Sequence, residues 1–276
     1  MPRILTSRFY YKRPMTENAF EAIPGRSVGG DDPNKGNSPL LFLCDHASNR
    51  LPEGGLGLAP ALLSTHIAFD IGAAAVTRAL AAVYGAPALL GGWSRLLIDL
   101  NRGADDPTLV MKLSDGSIIP GNVSGGAAEL ARRIAAYHAP YHAAIDAELD
   151  RMGKGAVVIS MHSFTPAWKG RPRPWEIGIL YDRDRRLSAP LMARLTEAGF
   201  RVGDNEPYSG ALEGDTLYQH GTLRGLPHVL IEIRQDLISS DATAQEFALR
   251  LKPILDAALI DMHGADMHGA DMHRPG

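Results

Sequence analysis

Apolar residues gather in two runs that stop abruptly on polar side chains. Leu40-Leu41-Phe42-Leu43-Cys44 gives way to Asp45-His46-Ala47-Ser48-Asn49, and Ala156-Val157-Val158-Ile159-Ser160-Met161 gives way to His162-Ser163. Short continuous apolar runs of this kind predict buried strands, and the C-terminal ends of such strands are where open α/β sheets place their chemistry. Further strands are expected at Pro87 to Gly91, Leu96 to Leu100, Trp175 to Tyr181 and His228 to Arg234. Helical spacing predicts a short helix over Ala61 to Ser64, an Ala-rich helix ending at Tyr84, and helices over Leu187 to Ala198 and Ala242 to Leu259. Ala127 to Met152 is also helical in pattern, broken at Pro140, because a proline inside a helix removes a donor and clashes with the preceding turn.

The alternation of strand and helix patterns predicts an α/β fold of three layers, a mixed sheet with helices on both faces, over residues 39–260 as a single domain. Residues 1–38 carry many prolines and glycines and little periodicity, which predicts an arm over the domain or a partly disordered one. Residues 261–276 repeat Asp-Met-His-Gly-Ala and read as a low-complexity tail whose histidines are kept apart from any site. Asp105 to Gly126 is rich in turn signals and could form a flap, and the turn formers of Asn205 to Gly210 could line a pocket.

Composition narrows the function more than the fold. The 276 residues are 45% hydrophobic with a formal net charge of −3, and the pI near 6.4 leaves no electrostatic footprint for nucleic acid or an anionic membrane. The expected partner is a small molecule. Cys44 is the sole cysteine, so no intramolecular disulfide is possible. No long apolar span occurs, and Met1 to Pro14 is too polar for a signal-peptide core, so a soluble cytoplasmic protein is expected.

The polar groups at or beside the predicted element ends are His46, Asp70, Asn101-Arg102, His162 and Glu232. Asp70 is equally well placed as the N-cap of the helix that follows it. His138 and His142, four apart, have a metal-ligand spacing, but Pro140 between them favours packing and hydrogen bonding. Two imidazoles and a carboxylate with an open fourth position form the ligand set of a catalytic zinc or other divalent ion. Another carboxylate is then needed to move a proton, and Glu232 is the candidate. Arg102 or Arg234 could grip a substrate carboxylate in bidentate fashion, although a structural ion pair would also account for either. The chemistry expected is hydrolysis of an amide in an acidic small molecule. Two rivals stand beside it: a metal-free thiol hydrolase using Cys44 with His46, and a module that binds an acidic metabolite without turning it over.

Five ordered stretches carry a more specific likeness: Phe42 to Pro52, His66-Ile67-Ala68-Phe69-Asp70-Ile71-Gly72-Ala73, Asp99-Leu100-Asn101-Arg102, Met161-His162-Ser163-Phe164 and Ile231-Glu232-Ile233-Arg234. Together they resemble the N-formylglutamate amidohydrolase family from about Phe20 to Leu259. The resemblance implies a fold similar to zinc-dependent exopeptidases (phosphorylase/hydrolase-like). It also implies cleavage of a linear amide, N-formyl-L-glutamate to formate and L-glutamate. It carries onto His46 and His162 as metal ligands, Glu232 as acid/base, and Asn101 with Arg102 as substrate contacts. Metallocarboxypeptidases, which look like distant relatives, place a glutamate three residues after the first histidine. Here that position is Asn49, a poor zinc ligand, so the third ligand is assigned to Asp70 with Asp45 as the fallback.

Overall fold

The computed structural model describes residues 18–26 and 38–271, with side chains to residue 264. Seven strands form one sheet: β1 (Phe20–Ile23), β2 (Leu40–Cys44), β3 (Ala88–Gly91), β4 (Val157–Phe164), β5 (Ile177–Leu180), β6 (Val202–Asp204) and β7 (His228–Arg234). Their order is β1-β3-β2-β4-β7-β5-β6. The inner four, β3, β2, β4 and β7, run parallel, while β1 pairs antiparallel with β3, β5 antiparallel with β7, and β6 parallel with β5. The sheet is therefore mixed, and its central strands are covered on both faces, which is why their sequences are apolar throughout rather than alternating.

Five helices flank it: α1 (Ala73–Tyr84), α2 (Ala127–Arg133), α3 (Ala139–Met152), α4 (Ser188–Glu197) and α5 (Asp241–Asp271). Phe42, Ile159, Met161, Ile231 and Ile233 point to one face and pack in one buried cluster with residues of α1, α4 and α5. Leu41, Leu43, Val158 and Leu230 point to the other, where Tyr141, Ile145 and Leu149 of α3 and a buried loop cover them. The expected α/β architecture, with helices on both faces of a mixed sheet, is present. Because side chains alternate along a strand, His162 lies on the α3 side with Val158, and Glu232 lies there with Leu230. Glu232 is the register partner of His162, so the two meet at the C-terminal ends of adjacent parallel strands.

Several expectations are corrected. Leu96 to Leu100 is not a strand. Ser94 Oγ accepts from Leu96 N, the Ser94 carbonyl accepts from Leu97 N, and Asp99 N donates to Leu109 O, giving turns buried under the sheet. The run is apolar because it is enclosed, not because it is extended. The 127–152 segment is split as expected, but just ahead of Pro140 rather than at it. Residues Ile134–His138 form a π-turn, Ala139 N donates five residues back to Ile134 O, and the wide turn seats the proline at the start of α3. The N-terminal segment contributes β1 as an edge strand, while residues 1–17 and 27–37 lie outside those described. The last helix runs beyond Leu259 into the repeat. Met262 is buried in the core and Asp261 pairs with Arg194, so residues 261–271 continue α5 rather than forming a separate tail. The 105–126 segment holds a two-stranded ribbon and one short helical turn. Among the described residues no helix is long and apolar enough to cross a membrane.

Candidate active site

Four elements converge on a cavity of about 270 Å³ at the C-terminal end of the sheet. His46 follows β2 by two residues, Asp70 precedes α1, His162 lies near the C-terminal end of β4, and Glu232 sits on β7. Asp70 is not a helix cap. Gly72, with φ of 82°, occupies that position without any side-chain cap, and a Cβ there would run into the carbonyl of Ile238. The Asp70 carboxylate is thereby left for the cavity.

His46, Asp70 and His162, all buried, present one ligand atom each with the three atoms mutually within 4.8 Å. His162 Nδ1 lies 2.8 Å and His46 Nδ1 3.5 Å from Asp70 Oδ2. The opposite nitrogen of each ring is held by another buried carboxylate: His46 Nε2 by Asp99 Oδ1 at 2.7 Å, His162 Nε2 by Asp45 Oδ2 at 3.1 Å. Carboxylates behind imidazoles in this way fix the ring orientation and raise ligand basicity. These carboxylates are themselves held. Arg95 Nη2 donates to Asp99 Oδ2 at 2.9 Å, and Tyr141 OH and Thr216 Oγ1 donate to Asp45 Oδ1. Ser163 N donates to Asp70 Oδ2. His46 Nδ1 makes no hydrogen bond although it is fully enclosed. A buried polar atom without a partner is costly, and a divalent cation among these three donors would supply one, so the residues fit such an ion.

Electrostatics divide the acids into two kinds. Burial alone would push each of them up. For Asp45 the His162 hydrogen bond and charge outweigh burial and hold it down at about 2. For Asp70 the charge of His46 and the hydrogen bond and charge of His162 do the same, and for Asp99 the Arg95 guanidinium and His46 do. For Glu232 burial wins, aided by the negative Asp70 and opposed by His162, and its carboxyl is pushed up to about 7. Its Oε2 is enclosed without a hydrogen-bond partner. A carboxyl poised near neutrality beside a cluster of ligand atoms suits proton transfer.

Comparison with known proteins gives the chemistry its class. Residues 38–239 match the family described as N-formylglutamate amidohydrolase. The chain belongs to that family. It is accordingly a hydrolase acting on an amide. A gene product of Agrobacterium tumefaciens has a similar structure, with 34% identity and a TM-score of 0.81 over 89% of this chain and 96% of that one. The N-formylglutamate amidohydrolase of Ralstonia eutropha shares the fold at 23% identity, with a TM-score of 0.59 over 90% of this chain and 97% of that one. No curated protein matches the chain in sequence.

Within this amidohydrolase, His46, Asp70, Asn101, Arg102, His162 and Glu232 all line the one cavity. Asn101 is fixed by its Oδ1, which accepts from Thr216 N, and Arg102 donates through Nε to Thr108 and through Nη1 to the Asn101 carbonyl. Arg234 does not line the cavity. Its guanidinium is taken by Asp236 and by the carbonyl of Trp175, so it satisfies neither Glu232 nor the substrate role expected for it. Asp45, the fallback ligand, stands behind His162 rather than among the three clustered donors. Asn49 donates to the Leu63 carbonyl and is absent from the lining.

Cys44 faces the α1 side of the sheet, its thiol pushed up by burial and by the nearby Asp70 and Asp45, and it does not line the cavity. That removes the geometry a thiol hydrolase needs. His138 and His142 bind backbone carbonyls of Arg102 and Leu100, the packing use their spacing around Pro140 suggested. The 105–126 segment supplies no lining residue, although its Asp115 pairs at 3.4 Å with His66, which does line the cavity. The turn formers of Asn205 to Gly210 reach the lining through Tyr208, Ser209 and Gly210, as expected, whereas sequence reasoning passed over Arg95 and Asp215. Arg95 had a signal, since it stands four residues before Asp99 and pairs with it.

Proposed function

We propose that the protein is a metal-dependent amidohydrolase of N-acyl amino acids, with zinc the first ion expected and His46, Asp70 and His162 its ligands. N-formyl-L-glutamate, the substrate in the family's name, is the first member of the class to assay. The observation that carries the reading is the enclosed trio of ligand atoms in which each imidazole is braced from behind by a buried carboxylate. A divalent ion held there would polarise the scissile carbonyl and make water more acidic.

The chain's own groups do the rest. Glu232 takes the proton from the attacking water and delivers it to the amine nitrogen as the C–N bond breaks, giving a carboxylic acid and a free amino acid. Arg102, whose guanidinium is oriented by Thr108 and the Asn101 carbonyl, holds the carboxylate of a small acidic substrate. Phe164, Leu180 and Leu230 supply an apolar wall.

The test is metal analysis of the full-length protein alongside a panel of N-acyl amino acids assayed with added zinc. Stoichiometric metal that is lost in His46→Ala together with turnover supports the assignment. Full metal content and full activity in that variant would remove His46 from the ligand set.

A further inference from the structure

Asp215 is a cavity group that the hydrolytic roles leave unused. It is 5% exposed and lines the cavity on the chain between Leu212 and the π-turn Tyr218–Thr222. Its Oδ1 accepts from Tyr218 N at 2.7 Å. Its second oxygen has no hydrogen-bond partner among the described residues and is not fully enclosed, and the residue lines both this cavity and the small one beside it that Tyr218 and His228 also line. The segment is pinned to the Arg102 loop. Thr216 N donates to Asn101 Oδ1 at 3.0 Å, Thr216 Oγ1 donates to the Leu100 carbonyl at 3.2 Å, and Gly214 packs against Gly103. Arg102 and Asp215 are thus presented to one ligand by two loops that cannot easily move apart.

The charges facing that ligand are unequal. Arg95 spends one arm on Asp99 and the other, at 3.5 Å, on Asp70. His66 is paired with Asp115. Arg102 commits Nε and Nη1 to its own loop, which leaves Nη2 as the guanidinium donor without a partner among the described residues. One carboxylate of a substrate therefore finds a cation. A second carboxylate finds the open oxygen of Asp215 instead, and like charges in a confined site repel more strongly than they do in water. Burial pushes the Asp215 carboxyl up to about 6, so it is largely ionised above neutrality.

Resting on the reading of the site as that of an N-acyl amino acid hydrolase, we propose that Asp215 is a specificity-determining residue. It selects substrates whose side chain ends in a hydrogen-bond donor, such as a carboxamide, against those ending in a second carboxylate. Such discrimination works as much by placing an unpaired charge against the wrong ligand as by bonding the right one.

The experiment compares kcat/KM for N-formyl-L-glutamine and N-formyl-L-glutamate, which differ in one terminal group, on the full-length zinc-loaded protein at pH 8. The expected preference for the glutamine compound is on the order of tenfold or more, expressed mainly in KM. In Asp215→Asn the side-chain oxygen can keep the Tyr218 N–H while the amide turns a donor into the cavity, so the preference falls or inverts. A wild-type preference for the glutamate compound, or a ratio unchanged in a folded Asp215→Asn, overturns the proposal. Calorimetric binding of L-glutamine and L-glutamate to the wild-type protein decides the matter if the variant fails to fold. If no N-acyl amino acid is hydrolysed, the catalytic reading fails, and the same calorimetry judges Asp215: glutamate bound as tightly as glutamine overturns the proposal, and tighter glutamine supports it.

Discussion

Glu232→Gln should move activity and stability in opposite directions. The carboxyl is enclosed, 6% exposed, and lifted from its ordinary 4.5 to about 7 by burial and by Asp70. At ~1.4 kcal/mol for each pH unit, that displacement corresponds to about 3 kcal/mol of folding free energy. The sign follows from which state holds the proton. Below about 4.5 the acid is protonated in both folded and unfolded chains and contributes no difference. As pH rises toward 7 the unfolded chain ionises while the folded one keeps its proton, so stability is lost, and the loss is complete above 7. Glutamine does not titrate and escapes this loss. In chelated, metal-free protein the stability of the variant relative to wild type should therefore grow by up to about 3 kcal/mol between pH 4.5 and pH 8, read by urea unfolding. In the metal-loaded enzyme the same substitution should lower turnover by on the order of 10²–10⁴, the usual worth of a positioned proton carrier. A stability difference that does not change with pH would show that the carboxyl is not held neutral, and wild-type turnover would move the base elsewhere.

Three further outcomes are expected. Asp99→Asn removes the charge behind His46 Nε2, where the two atoms lie 2.7 Å apart, and should weaken metal affinity roughly 10–100-fold without unfolding the protein; equilibrium dialysis with zinc checks it, and undiminished affinity would refute the bracing role. Cys44→Ala should keep activity and cost about 1 kcal/mol of stability, because it removes only a buried sulfur from the α1 side of the sheet; loss of turnover in the folded variant would revive the thiol chemistry. Arg102→Lys should raise KM for N-formyl-L-glutamine on the order of tenfold with kcat nearly unchanged, since a point charge replaces an oriented fork; a fall confined to kcat would show that Arg102 acts on the reaction rather than on binding.

The parts of the site that were legible in the sequence are those where the chain changes character sharply. His46 and His162 each end an apolar run, and a glutamate in the otherwise apolar β7 is anomalous, so strand periodicity alone brought three of the cavity groups forward. Asp70 was ambiguous because a carboxylate before a helix serves equally as a cap. What decided the local geometry was Gly72, whose positive φ starts the helix without one. Arg95 and Asp215 lie in irregular segments, where no period relates neighbouring residues to a face. Their convergence depends on long-range stitching such as the Thr216 to Asn101 bond. Leu96 to Leu100 misled for the opposite reason, since enclosure of a turn demands the same apolar composition as a strand. Arg234 shares a strand face with Glu232 yet lies beyond the cavity, because Asp236 two residues on captures it first.

The charge balance explains why this arrangement of residues is coherent. Asp45, Asp70, Asp99 and Glu232 are all at most 6% exposed and lie within one cluster, where burying an uncompensated carboxylate is expensive. Among the described residues Arg95 is the one permanent cation in direct contact with them, paired with Asp99 and Asp70. Four ionised carboxylates against one guanidinium would leave an excess of three negative charges if the imidazoles were neutral. The protein alone relieves this in two ways. His162, with a carboxylate on each nitrogen, is held protonated, its pKa raised well above the ordinary value because those hydrogen bonds outweigh burial. Glu232, whose Oε2 has no hydrogen-bond partner among the described residues, keeps its proton. Both devices are the responses of a site short of positive charge, and both fall on groups whose chemistry requires the deprotonated form: an imidazole that must offer a lone pair and a carboxylate that must accept a proton. A divalent cation at His46, Asp70 and His162 removes the need for either, so one binding event would stabilise the fold and set Glu232 in its working state.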